Sequence, residues 1–296
     1  MNNSHLFNTG DGPFGPVVNG TQIVFFEYRP NKAAGYSFVV LFGLLTLAHL
    51  IYIFWKRAWF FIPFFLGGIS ETFGYYGRAL ASDEPEKVGP FILQNLLILT
   101  ATPFLAASIY MSFGRIILAL DAQRHSILNI RWMTKIYVLV DFACIVSQFI
   151  GAVIPASGDP VAQKQSKIIL LAGLITQLVA LSLFIFTCWH AHVRIKQNPS
   201  DILLKGVISK WKIHFIALEA VTGLMIVRSL VRTIEYLQGE GGYIIMHEVF
   251  LYVFDAALMA IVMGIFLVVY PGKLVREARR LKSEQDGNFL LGSAER

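Results

Sequence analysis

Seven apolar stretches, each about the length of a bilayer crossing, carry charged residues inside them: Glu71, Arg78, Asp141, Glu219, Arg228, Arg232 and Asp255. A charged side chain at the centre of a membrane helix costs roughly 2.5–3.5 kcal/mol, so seven of them facing lipid would cost on the order of 18–25 kcal/mol. Such a chain folds only if those groups turn inward and meet one another.

Composition points to the same solvent. Of 296 residues, 55% are hydrophobic and only 15% are charged, where a soluble domain carries about 25%. A hydrocarbon core of about 30 Å needs about 20 helical residues. The runs are continuous and broken by Gly and Pro, not alternating, which predicts helices over about 33–55, 58–80, 91–113, 136–157, 167–190, 213–234 and 248–270. The predicted fold class is all-α, a polytopic membrane protein of seven transmembrane helices.

Lys and Arg set its orientation, because positively charged loops stay on the cytoplasmic side. With the N-terminus outside, seventeen of them fall in inner segments, from Lys56 and Arg57 to the run Lys273–Lys282 and Arg296. Five fall outside: Arg29, Lys32, Lys87, Lys164 and Lys167. The expected organisation is an extracellular tail over 1–32, a membrane domain over 33–271 and a basic cytoplasmic tail over 272–296. Two glycosylation sequons, at Asn2 and Asn19, lie in the predicted outer tail. That tail has no apolar core of the kind a cleavable signal needs, so the first helix is expected to direct insertion. Cys144 and Cys188 fall at different predicted depths and read as packing residues, not a disulfide.

Residues seven apart return to one helix face. Glu71 and Arg78 share a face of the second helix, Arg228, Arg232 and Glu235 lie along the sixth, and Glu248 and Asp255 share a face of the seventh. Their depths agree with those of Gln94, Asn95, Gln148 and Gln177, which predicts a polar chamber in the outer half of the bundle. Ion pairs that merely fix helix register are the plainer reading for Glu71 with Arg78 and for Arg232 with Glu235. Yet three arginines face six carboxylates, counting Asp141 and Glu219, so three acids are left over. A surplus carboxylate in low dielectric either holds a proton or meets a cation from outside the chain.

The pattern resembles the fungal RTA-like family, also called the lipid-translocating exporter family. The resemblance spans about 35–280 and rests on Glu71-x-x-Gly74-Tyr75-x-x-Arg78, then Gln94, Pro103, Ala106-Ala107-Ser108-x-Tyr110 and Gly114-Arg115. It continues through Asp141, Gln148-x-x-Gly151, Gly173 with Gln177, Arg228-x-x-x-Arg232-x-x-Glu235, Glu248 and Tyr252-x-x-Asp255. Val231 departs from the aromatic residue expected before the arginine. The resemblance implies a fungal plasma-membrane protein concerned with lipid movement, stress or drug resistance.

Three function classes follow. An exporter or flippase of amphiphiles, such as sphingoid long-chain bases or toxic amino lipids, would use Glu71, Glu248 and Asp255 to accept the amine and Arg78, Arg228 and Arg232 to position those acids. Tyr75, Gln94, Gln148, Gln177, Glu235 and Tyr252 complete the expected substrate-binding set. The expected partners are that amphiphilic lipid and the membrane lipids, with no nucleic acid, cofactor or metal. No Gly-rich phosphate loop with its Lys occurs, so the chain is not itself an ATP-driven pump. A seven-helix lipid sensor is the alternative, though no Asp/Glu-Arg-Tyr triplet closes the third helix and no Schiff-base lysine lies in 248–270. A membrane enzyme would need ligands converging at one depth, whereas His49, His190, His192 and His214 sit near inner helix ends and His247 near an outer one.

Overall fold

Each of the seven apolar runs forms a long helix. The computed structural model describes residues 13–18, 21–22, 24–123, 130–153, 160–199, 211–239 and 242–277. The sequons at Asn2 and Asn19 and most of the basic tail lie outside the described residues. Helix α1 is Lys32–Lys56, α2 Ile62–Asp83, α3 Val88–Ala119, α4 Ile130–Val153, α5 Pro160–Gln197 and α6 Trp211–Gln238. The seventh, α7, begins as α-helix over Glu248–Leu251, passes through a π-helical segment, Tyr252–Ala257, and resumes over Leu258–Val268. A two-residue antiparallel ribbon, Val17–Val18 with Thr21–Gln22, precedes α1.

Six helices among the described residues are long and apolar enough to cross a membrane. The seventh apolar run, α2, falls short because Gly67, Gly68, Ser70, Glu71, Thr72, Gly74, Gly77 and Arg78 dilute it. Most of that polar face is buried. Helices α3 and α5 run to 32 and 38 residues, past their apolar stretches. Continuing the backbone ladder satisfies peptide groups that an earlier end would leave unpaired.

Sequence neighbours pack side by side, and α7 closes the ring against α1. Of the six long apolar helices, α3 is the most enclosed, with 72% of its apolar window buried against 22% for α1. Close approach of α2 to α3 depends on glycine: a Cβ at Gly74 would lie 2.6 Å from Ile98 Cγ1, and one at Gly77 2.9 Å from the Gln94 nitrogen. Toward the end of the bundle where α1 terminates, the interior is aromatic. Phe61 and Phe64 lie 4.7 Å apart between ring centres, Phe64 and Phe266 5.4 Å, and Phe113 and Phe184 5.5 Å. Cys144 and Cys188 are free and buried.

The segment before α1 folds back over the opposite end. Phe25 stacks on Phe91 of α3 at 4.2 Å, and Arg29 Nε donates to the Ser82 carbonyl at 2.9 Å. Asn31 caps α1 by accepting from the Ala34 N–H at 3.1 Å, while its own N–H donates to Glu248 at 2.9 Å. The start of α1 is thereby tied to the start of α7.

Candidate functional site

Helices α2, α3, α6 and α7 bring their charges together in two linked groups. In the outer group, beneath the folded-back segment, Arg78 of α2 pairs with Glu248 of α7 at 2.7 Å. Its remaining N–H groups donate to the hydroxyls of Tyr28, at 2.9 Å, and Tyr252, at 3.2 Å, and it reaches Gln94 Oε1 at 3.4 Å. The Tyr252 hydroxyl donates in turn to Glu248 at 2.9 Å. Burial pushes the Tyr28 hydroxyl above its ordinary range while Arg78 pulls it back. Tyr28 therefore stays neutral at physiological pH and acts as a dipolar partner for the guanidinium.

In the deeper group, Arg228 and Arg232, one turn apart on α6, each hold one oxygen of Asp255, which lies in the π-helical segment of α7. Arg228 also donates to the Thr102 hydroxyl and, at 2.9 Å, to the Ile98 carbonyl, both on α3. Arg232 meets Glu235 at 3.0 Å. Each arginine spans two or more groups because its planar fork offers five donors. Three arginines thus take Glu248, Asp255 and Glu235. Arg78 pairs across the bundle with Glu248, not along its own helix with Glu71, whereas the Arg232–Glu235 pair is the local one that the spacing suggests.

The acids left over are Glu71, Asp141 and Glu219. Glu219 meets His192 at 2.9 Å between α6 and α5. Asp141 faces the Tyr110 hydroxyl without a hydrogen bond of ordinary geometry to either oxygen. Glu71 is wholly buried, and neither of its oxygens has a partner among the described residues. The buried Tyr75 hydroxyl, one turn along α2, is also unpartnered.

A cavity of about 510 Å³ opens against the outer group, bordered by Arg78, Gln94, Asn95, Arg232, Glu235 and Lys167 and walled by Phe25, Phe26, Tyr28 and Phe91. That volume is in the range of about 300–1,000 Å³ usual for small-molecule sites. Four residues expected in the site, Arg78, Gln94, Arg232 and Glu235, border it. Glu248, Tyr252 and Asp255 stand behind them as their partners, and Arg228 holds Asp255 in turn. Gln148 and Gln177 pair with each other at 2.9 Å between α4 and α5 and do not border it; neither do Glu71 and Tyr75, which lie deeper. Sequence reasoning missed Phe25, Phe26, Tyr28 and Lys167. The one available signal was an aromatic cluster, Phe25-Phe26-x-Tyr28, in an otherwise polar segment.

A helical bundle with apolar outer faces and ion pairs buried inside it defines an integral membrane protein. The chain belongs to the family described as RTA1 like protein, whose match covers residues 64–278. It is 31% identical to "Protoporphyrin uptake protein 1" of Saccharomyces cerevisiae, over 83% of this chain and 91% of that protein. It is 27% identical to "Protein RTM1" of the same species, over 84% and 92%. It is 24% identical to "Sphingoid long-chain base transporter RSB1" of a further S. cerevisiae strain, over 82% and 72%. No solved structure matches the chain.

Proposed function

We propose that this protein moves amphiphiles with a polar head and a large apolar body across the plasma membrane, sphingoid long-chain bases and toxic amino lipids among them, and so contributes to lipid-stress and drug resistance. The carrying observation is the cavity itself, where carboxylate, guanidinium and phenol groups stand beside stacked aromatic rings. That lining suits a guest with one charged and one apolar part. Relatives named for a sphingoid base and for a porphyrin support the class, since both are amphiphiles. In this reading all seven helices span, α2 included, for its 22 residues reach about 33 Å and its polar face is shielded by neighbours. The N-terminus lies outside, the C-terminus lies in the cytoplasm, and the protein is not an enzyme.

The geometry shifts the amine contacts from those the spacing suggests. Each of Glu248, Asp255 and Glu235 is held by an arginine, but only Glu235 of the three borders the cavity, so Glu235, 15% exposed, is the acid we assign to the guest's amine. Gln94 and Tyr28 would meet its hydroxyl groups. The test is export of a labelled long-chain base from a deletion strain carrying the wild type or Glu235→Gln. Wild type should restore export, and Glu235→Gln should lower it roughly tenfold, the loss of one charge-assisted hydrogen bond. Equal export with and without the wild-type gene would reject transport of this probe.

A further inference from the structure

The deeper charge group balances without Glu71. Arg228 and Arg232 bring two positive charges, and Asp255 and Glu235 bring two negative ones. Every guanidinium nitrogen is engaged, with Asp255, Glu235, Thr102 or the Ile98 carbonyl, apart from Arg232 Nε, which is buried and unpartnered among the described residues. The charges acting on Glu71 are Asp255 from α7 and Arg228 and Arg232 from α6; α1 and α3, packed directly against α2, add none, and its own helix brings only the Tyr75 phenol. A carboxylate there would be a third negative charge against two positive ones, wholly enclosed and without a single donor. An isolated buried charge of that kind is not sustained.

Resting on the transport reading above, we propose that Glu71 takes up and releases a proton in each transport cycle, so that amphiphile movement is coupled to the proton gradient. In the conformation described here, Glu71 carries the proton and both arginines belong to Asp255. When α6 and α7 separate, an arginine leaves Asp255 for Glu71, and the guest's ammonium at Glu235 supplies the third positive charge. The acid's O–H bond breaks, its proton passes to water, and the new carboxylate accepts the guanidinium N–H. Return to the present conformation reverses each step, one proton per cycle. Asp255 lies in the π-helical segment Tyr252–Ala257, and a π segment is a local register defect that can relax by one residue. Such a shift would withdraw Asp255 from its arginines. Asp141, the other unpartnered acid, has Tyr110 facing it and no arginine acting on it, so it has no partner to exchange.

Two measurements test the coupling. In infrared spectra of the purified protein at neutral pH, the carbonyl stretch of a protonated carboxylic acid should lose a component in Glu71→Gln that Asp141→Asn retains; identical spectra for wild type and Glu71→Gln would overturn the proposal. In reconstituted phosphatidylcholine vesicles, a fluorescent N,N,N-trimethyl sphingoid base, whose charge does not vary with pH, reads transport against imposed gradients. With one proton per guest, wild type should shift the probe's distribution by about tenfold per pH unit. Glu71→Asp should keep that response and Glu71→Gln should lose it. Wild type that moves the probe equally at every gradient ends the coupling alone. Wild type that moves neither this probe nor the unmethylated long-chain base ends the transport reading and the coupling with it.

Discussion

Asp255 and Glu71 are both wholly enclosed acids in one neighbourhood, yet they are opposites. Asp255 is held by two guanidinium groups, whereas Glu71 is held by none. Removing one partner of a buried pair costs about 3–5 kcal/mol because the other charge is stranded. Asp255→Asn should therefore lower the thermal unfolding temperature in detergent sharply. Glu71→Gln replaces an unpartnered acid by an unpartnered amide and should cost about 1 kcal/mol or less. Equal losses would mean that Glu71 is an ion-paired structural acid. At the cavity roof, Tyr28→Phe removes an acceptor from Arg78. A hydrogen bond to a charged group contributes about 1.5–3 kcal/mol, so limited proteolysis should cut the segment before α1 at least several-fold faster in that variant than in wild type.

At the level of helices, glycine decides how close α2 comes. Gly74→Ala puts a methyl group 2.6 Å from Ile98, with the Ile98 nitrogen at 3.2 Å, while Gly264→Ala meets nothing within 4 Å. The first should cost about 1–3 kcal/mol by overpacking. The second should be neutral or slightly stabilising, since Ala favours helix over Gly. Paired melting curves check both, and equal shifts would contradict the close packing of α2 on α3. The same scale shows what sequence could reveal. Helix positions and the Arg232–Glu235 pair were legible because apolar runs and three-residue spacing are local. The Arg78–Glu248 pair was not, since 170 residues separate its members and face-sharing on one helix points Arg78 at Glu71 instead. The fold-back of Phe25, Phe26 and Tyr28 was hidden for the same reason. Their partners are Phe91 and Arg78, and nothing beside them in the chain announces such contacts. The surplus of acids over arginines did carry through: three acids remain once three are paired with arginine.

For the molecule as a whole, the buried arginine–carboxylate pairs sit toward one end, beneath the folded-back segment, and the interior toward the other end is packed with aromatic rings. On the proposed function, a guest entering the cavity would meet Arg78, Arg232 and Glu235 first, then the enclosed group that includes Glu71. The most direct check is whether an amphiphile occupies that cavity. Asn95 borders it and is half-buried, and the two native cysteines are buried. Asn95→Cys should react with a membrane-impermeant maleimide applied to the extracellular face, and a sphingoid long-chain base should slow that reaction at least several-fold in a saturable manner. A labelling rate that no concentration of the base alters would contradict the cavity as the binding site.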